Sequence, residues 1–599
     1  MSSLSNSVHQ YLQQIGLCAL KKARDTGVGG VALGKLPASA VLESLVLPQI
    51  ACLAMATRDN PSPERLEVLV ASLTGAVERH RQPQAGREQF PPDALTALDQ
   101  LPKFLEVHGQ GVVADAGRVH AAWRAGIEVL DAVVPAGANE VRASVILIAG
   151  LEGPFGEVTA FSSPNFPGCI AFGTNNPPVL LAEEMLHEAC HVRLWSRLAV
   201  DNRLSATFSD LPAIHSPFTE SLRPAIRVLH GFVSYAAVLR YWQALKSIQY
   251  DPAAFGPTPG DRAAMLVERR IDILRQRIAA ALSALGLILE GVAAKAFEDV
   301  VKELVGCVPA ELSVPKTLPG VDQREYEAAI NALDPISSAE YQLAITGAKV
   351  SRIVLPLAVA SRLAAVNLGR RTLIAGGEAI RSNRDQRLGS FSNTASLAID
   401  LLDAGPNDDV YLYVSNDPAR ALAAWHLDRT DEAAELFGIP SCCARFFRNH
   451  WDESRTLREG DVFETMLTKC CSDMVVRMHW ACNAAAMYFG HGLCWHFPCA
   501  PDCPATISTI AERRRRLATI DQYLTQDLVA WMATPLIWSR AFGYGSLPTD
   551  GGLSTPLEMV VWLNAGVRQR TKETIAMWLA AAGDDTRKLI IPTAVENGP

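Results

Sequence analysis

A chain of 599 residues that is 49% hydrophobic and 20% charged is too apolar to stay disordered and too long for one core, since single cores stop growing near about 250–300 residues. Its net charge of −8 excludes a general nucleic-acid binder, which needs a basic face. Thirteen Cys behind an N-terminus without a basic-then-apolar leader read as reduced thiols or metal ligands in a cytoplasm, not as a disulfide framework.

Up to about residue 140, Val8–Ala23, Pro37–Ala56, Pro63–His80, Pro92–Val107 and Val119–Val134 carry helical patterns between Pro and Gly breaks. Their Cys and His are scattered, which predicts a helical scaffold without a ligand cluster. The texture changes at Val141. Val145–Ala149, Glu157–Phe161 and Cys169–Phe172 are rich in β-branched and aromatic residues and are separated by Gly153-Pro154 and Pro167-Gly168, the punctuation of strands in a small sheet. The third strand leads through Pro177-Pro178 into a Gly- and Pro-free run, Leu180 to Trp195, that is predicted to be helical.

That run contains His187-Glu188-Ala189-Cys190-His191. Side chains four apart share one helix face, about 5–6 Å from each other, so both imidazoles can grip a single metal ion. They fall on or beside the apolar stripe of Leu181, Met185, Leu186, Leu194 and Leu198, and imidazoles buried there require a partner. Glu188 stands where a base or an orienting group beside the metal belongs. Asp201 to Pro224 reads as a polar loop holding His215, and Ala225–Trp242 as a second helix. His230 lies on the apolar side of that helix with Ile226, Val233 and Ala237. It is the candidate third ligand, with His215 as its competitor.

Such a site suits zinc hydrolysis with Glu188 as general base, or Fe(II) chemistry with open positions for a bidentate 2-oxo acid and O2; the ligand count alone does not choose. The peptidase patterns fit poorly. Leu194 and Arg197 occupy the positions where one subclass needs Gly and His, and the downstream Glu of another finds only Glu220, in a Pro-flanked loop.

The combination of His187-Glu188-Ala-Cys-His191 with Leu229-His230-Gly231-Phe-Val-Ser-Tyr235 and the pair Tyr241-Trp242 resembles the HExxH-motif proteins that accompany ribosomally made, modified peptides. Those are 2-oxoglutarate-dependent, non-haem iron β-hydroxylases. The resemblance covers Ser144 to Leu245, roughly a sixth of the chain. It implies His187, His191 and His230 as iron ligands, Glu188 beside them, and a guanidinium for the 2-oxoglutarate carboxylate, with Arg240 ranked before Arg227 and Arg193.

Ile278 to Ala294, the most apolar run, is interrupted by Glu290 and reads as a buried core helix and not a membrane span. Pro309 to Pro335 reads as a linker or domain edge. Beyond it, Arg352–Leu368 is predicted helical, Arg371–Ala375 and Val410–Val414 are predicted strands, and Gly376-Gly377 and Gly405-Pro406-Asn407-Asp408 predicted turns. His426-Leu-Asp428 has the H-x-D form of the ordinary iron triad but lies in a helical stretch. Arg513 to Arg516 reads as a solvated helix face.

Eight of the thirteen Cys fall between residues 442 and 503. Cys499-x-x-x-Cys503 with His496 has metal-ligand spacing, and Cys442-Cys443 completes a candidate second site for Zn or an Fe–S cluster, although adjacent Cys are awkward ligands for one ion. The Gly-x-Pro-x-Cys-Cys-x-x-Phe-Phe and Pro-Cys-x-x-x-Cys combination resembles an uncharacterised Cys-rich domain family, which implies no function.

The expected fold class is α+β. A mostly helical catalytic domain over 1–310, with a small sheet beside the HExxH helix, is followed by a linker over 311–340 and a Cys-rich α/β domain over 341–599. The expected function is hydroxylation of a β-carbon on a peptide or amino-acid substrate with Fe(II), 2-oxoglutarate and O2. A zinc-dependent peptidase is the alternative, and neither nucleic acid nor a membrane is an expected partner.

Overall fold

In the computed structural model the described residues are 3–25, 54, 66, 69–70, 73, 111–112, 115–145, 147–152, 160–164, 168–248, 260–307, 309–312, 323–347, 349–368, 372–382, 396–428, 430–457, 461–473, 475–489, 491–539, 543–546 and 588–593. Apart from isolated positions, the helices expected at 37–56, 63–80 and 92–107 lie outside them, as does most of the strand expected at Glu157–Phe161. The described residues form helices with several small sheets, an α+β protein. Two compact units interleave in sequence. One takes Met1–Asp210, Leu229–Leu282 and Leu289–Thr317; the other takes Leu211–Val228, Ser283–Ile288 and Leu318–Pro599.

The first unit holds α1 (Ser3–Asp25), α2 (Ala116–Val133), α3 (Pro135–Ser144), α4 (Pro178–Val200), α5 (Asn202–Ser209), most of α6 (Ala225–Ser247) and α7 (Gly260–Gly286), and α8 (Gly291–Val305). Its sheet runs β1-β2-β4-β3, from Gly111–Val112, Leu147–Glu152, Cys169–Gly173 and Phe161–Ser162. β2 and β4 pair in parallel with Leu147 opposite Cys169, and the outer pairs are antiparallel. Every residue of β4 is buried.

From β4 the chain enters α4, the HExxH helix. Pro178 occupies its first turn, where a missing N–H costs nothing. α4 packs against α1, α2, α3, α5, α8 and the sheet, so it is buried on nearly every side, as a core helix is. Gly126 admits α2 closely: a Cβ there would stand 2.8 Å from Met185 Sδ and 3.1 Å from Leu181 Cβ. The apolar run expected as one helix over Ile278–Ala294 is divided, α7 ending at Gly286 and α8 starting at Gly291.

The second unit gathers β5 (Ala213–Ser216), β6 (Ser221–Pro224), β7 (Ser351–Pro356), β8 (Thr372–Ser382), β9 (Ser396–Asp400) and β10 (Asp409–Ser415) in the order β6-β5-β8-β10-β7, with β9 also on β8. All these pairings are antiparallel, not the parallel ladder that an α/β alternation builds. Three expectations are corrected here. The polar loop over Asp201–Pro224 contains α5 and the β5–β6 hairpin, turned at Glu220 with a φ of 52°. The helix expected over Arg352–Leu368 starts as strand β7, because Ser351, Ile353 and Leu355 are buried in alternation with more exposed neighbours; Pro356 ends the strand and a helix over Leu357–Val366 follows. The turn expected at Gly376-Gly377 is instead the middle of β8, opposite a register shift between Val410 and Leu412.

Helices α9 (Gln323–Asn331) and α10 (Pro335–Ile345) occupy half of the expected linker; Asp334 caps α10 by accepting the Ser337 N–H. The remaining helices are α11 (Leu357–Val366), α12 (Pro418–His426), α13 (Asp431–Leu436), α14 (Ser441–Leu457), α15 (Val462–Cys470), α16 (Pro504–Ala518) and α17 (Gln522–Met532). A third sheet, ordered β11-β14-β12-β13, comes from Val475–Met478, Lys588–Pro592, Leu536–Ser539 and Gly543–Ser546. Its Ile590 and Trp538 share a core with Phe463, Trp480 and the buried Cys443, Cys482, Cys494 and Cys503.

Arg513 corrects the expectation of a solvated arginine run. It is 5% exposed and pairs with Glu340, which also pairs with buried Lys349; Arg515 and Arg516 stay outside on Glu512. Asp428 of the H-x-D stretch is taken by Arg352 at 2.8 Å. Among the described residues, no helix is long and apolar enough to cross a membrane.

Candidate functional site

Helices α4 and α6 bring the predicted imidazoles of the first unit together. His187 Nε2 and His191 Nε2 are 3.1 Å apart, with ring centroids at 4.8 Å. His230, from α6, stacks 5.5 Å from His191 and presents Nδ1 to the far edge of that ring, 3.4 Å from its Nδ1. Trp195 lies against both rings, at 5.5 and 5.2 Å. Tyr235 meets His187 edge-on at 4.7 Å. Burial, then the neighbouring His191 and Arg270 charges, hold His187 well below the ordinary imidazole range, so it keeps the lone pair a metal requires.

The Nε2 pair therefore fits a metal ion, and His230 is not brought to the same point. Among the described residues the three imidazoles do not form a group offering one nitrogen each within 4.8 Å. His215 sits on β5 in the second unit, 5% exposed, with burial pushing it down to about 4.

Three carboxylates on α4 are buried, and each is partnered, as burial demands. Glu183 takes Arg270 and the Trp242 Nε1–H at 2.8 Å. Glu184 accepts the Gly173 N–H at 3.0 Å and Asn176 Nδ2 at 2.8 Å, which fixes the turn between β4 and the helix. Glu188 accepts the Ser162 hydroxyl at 2.5 Å from β3. Burial raises Glu188 to about 8, with Ser162 acting against the shift and Glu184 adding to it.

The three arginines expected for a cofactor carboxylate are occupied elsewhere. Arg193 is buried, donates to the Leu304 carbonyl at 3.2 Å and pairs with Glu140 at 3.4 Å. Arg240 is exposed and donates to the Val305 carbonyl. Arg227 lies beside Arg223 and Asp400 in the second unit. The guanidiniums around the imidazoles come from α7 instead. Arg270 acts on His187 and Tyr235, and Arg277 acts on Tyr235. Arg277 has no hydrogen-bond or ion-pair partner among the described residues. Their spacing of seven residues, two helical turns, was the signal available in the sequence.

In the second unit the predicted cysteines converge. Cys442 and Cys443 lie in the first turn of α14, Cys503 caps α16, and Cys499 stands on the segment before it. The Sγ separations are 3.8 Å for Cys442–Cys443, 3.7 Å for Cys442–Cys503 and Cys443–Cys503, and 3.6 Å for Cys499–Cys503. All four sulfurs lie within 4.8 Å of one another, a group able to hold a metal ion.

The adjacent pair is thus compatible with one shared point, its two sulfurs standing 3.8 Å apart and each 3.7 Å from Cys503 Sγ. His496 is excluded from the group. Its Nε2 meets Thr506 Oγ1 at 3.1 Å, and that oxygen meets Cys443 Sγ at 3.3 Å, so the imidazole stands behind the cluster. Burial pushes His496 down to about 3 and Cys499 up to about 12. Burial also opposes ionisation of Cys503, but Thr506 and the neighbouring Cys499 and Cys442 thiols together bring that thiol down to about 7.

No family model and no curated protein matches the chain.

Proposed function

We propose that the first unit is a non-haem iron hydroxylase that uses 2-oxoglutarate and O2 to hydroxylate a β-carbon of an amino-acid side chain, in a peptide or a related natural product. The observation that carries this reading is the approach of His187 Nε2 to His191 Nε2 at 3.1 Å. Two ligands at about 2.1 Å from one ion are about 3.0 Å apart at a right angle and about 3.4 Å apart at the tetrahedral angle. The separation suits the six-coordinate ion of an oxygenase better than a tetrahedral zinc. Bound there, Fe(II) supplies the oxidative decarboxylation of 2-oxoglutarate by O2 and the transfer of one oxygen atom to carbon.

The chain's own residues divide the remaining work. His230 is the third ligand, and reaching the shared point requires its ring to turn from the outer edge of His191. Trp195 holds both rings in place and excludes water from them. Arg270 is committed to Glu183, which leaves Arg277 to receive the distal carboxylate of 2-oxoglutarate beside Tyr235. Glu188, held by Ser162, orients α4 against the sheet edge and does not serve as a base; this disfavours the peptidase alternative.

The test is succinate release from 2-oxoglutarate by the Fe(II)-loaded full chain under O2. Turnover in the parent and none in His187→Ala is the expected result. Hydrolysis of peptides by zinc-loaded protein without O2 or 2-oxoglutarate, lost in Glu188→Gln, would overturn the proposal.

A further inference from the structure

We infer that Cys442, Cys443, Cys499 and Cys503 form a closed, mononuclear zinc site that organises the second unit, independently of the histidine site. Size is the first argument. Four thiolates at about 2.3 Å from one zinc ion stand about 3.8 Å apart along each edge of the tetrahedron. Four of the six Sγ separations run from 3.6 to 3.8 Å, and all six lie within 4.8 Å. An iron–sulfur cubane binds each thiolate to a different iron and sets the cysteine sulfurs roughly 6 Å or more apart. A disulfide would hold two of them at about 2.05 Å. The group is the right size for a single ion.

Surroundings suited to anionic sulfur are the second argument. Van der Waals contact explains one such pair of thiols, but a closed group of four leaves S–H donors facing little except other sulfurs. Thiolates around a cation need N–H and O–H donors instead, and one is present. The Thr506 hydroxyl stands 3.3 Å from Cys443 Sγ, placed to donate to it. His496 braces Thr506 from behind, as outer partners of metal ligands do. Two helix N-termini, of α14 over 17 residues and α16 over 15, also point at the cluster, and each favours negative charge.

The site has no open position. Four protein sulfurs fill a tetrahedron, so the ion is structural and not a catalyst. It ties α14 to the start of α16 across about sixty residues of chain and so closes a long loop around the core containing Phe463, Trp480 and Trp538.

The experiment is metal analysis of the full chain carrying His187→Ala and His191→Ala, grown with zinc, so that any ion counted lies outside the histidine pair. One zinc per chain is expected, retained on gel filtration and absent from the same chain with Cys443→Ser added. Should that variant not fold, growth on Co(II) gives a second reading. The His-substituted chain then shows the intense visible bands of tetrahedral cobalt thiolate, and Cys499→Ser shifts them. No zinc in folded protein, a brown chromophore with acid-labile sulfide, or a disulfide among the four Cys by peptide mapping would each overturn the assignment.

Discussion

The histidine cluster and the cysteine cluster both use helix geometry to gather ligands, and they gather them for opposite ends. His187 and His191 project from the middle of one buried helix, one turn apart, and bring two nitrogens to within 3.1 Å of each other. Cys442, Cys443, Cys499 and Cys503 come from the starts of two helices and the segment between them, and they surround their common point. Nitrogen ligands on a continuous helix leave room for chemistry. Sulfur ligands joining separate elements substitute for packing that those elements would otherwise have to supply.

If that contrast is right, the largest effect comes from the sulfur side. Stripping zinc, or replacing Cys443 by Ser, should cost the second unit on the order of 10 kcal/mol of folding free energy, read as loss of its cooperative thermal transition. His187→Ala or His191→Ala should abolish iron binding and turnover while leaving that transition in place. Loss of the transition in the His variants, or full turnover in either one, would break the distinction.

A smaller effect sharpens it through pH. His215 titrates at about 4 in the folded second unit against an ordinary 6.5. Between those values the unfolded chain binds the extra proton, so stability falls as pH falls from about 6.5 to about 4, by about 3 kcal/mol in all. Urea midpoints of the parent and of His215→Leu at pH 7 and pH 4.5 check this; the substitution should flatten the dependence. Smallest of all, Arg277→Gln should raise the KM for 2-oxoglutarate about 10- to 100-fold through the loss of one charge-assisted contact, with kcat little changed. Arg277→Lys, which keeps charge but not the planar fork, should recover part of it.

Much of the first unit was legible because its signals are local. The run Leu180–Trp195 lies inside α4, and Ala225–Trp242 matches the start of α6, since uninterrupted helix formers and a Pro at the first turn need no tertiary help. What escaped the sequence depends on distant partners. Arg513 looks like its solvated neighbours, and only Glu340 on another helix explains its burial. The β5–β6 hairpin hides in a Pro-containing stretch because each strand is four residues long and the hairpin finds its place through the pairing of β5 with β8. The surroundings of the candidate arginines depend on distant partners too. Arg193, Arg227 and Arg240 lie close in sequence to the histidines, whereas Arg270 and Arg277 reach Tyr235 from α7, two turns apart on one face. In the cysteine cluster composition located the four cysteines, but the position of His496 behind them follows from Thr506, which the spacing does not encode.

The central claim is most directly tested by titrating the anaerobic Fe(II) form of the full chain with 2-oxoglutarate and recording its visible spectrum. The expected result is a charge-transfer band that appears only with both iron and 2-oxoglutarate, vanishes in His187→Ala, and is unchanged in Cys499→Ser. Bound iron without a band, or a band that survives His187→Ala and disappears with the cysteine, would contradict it.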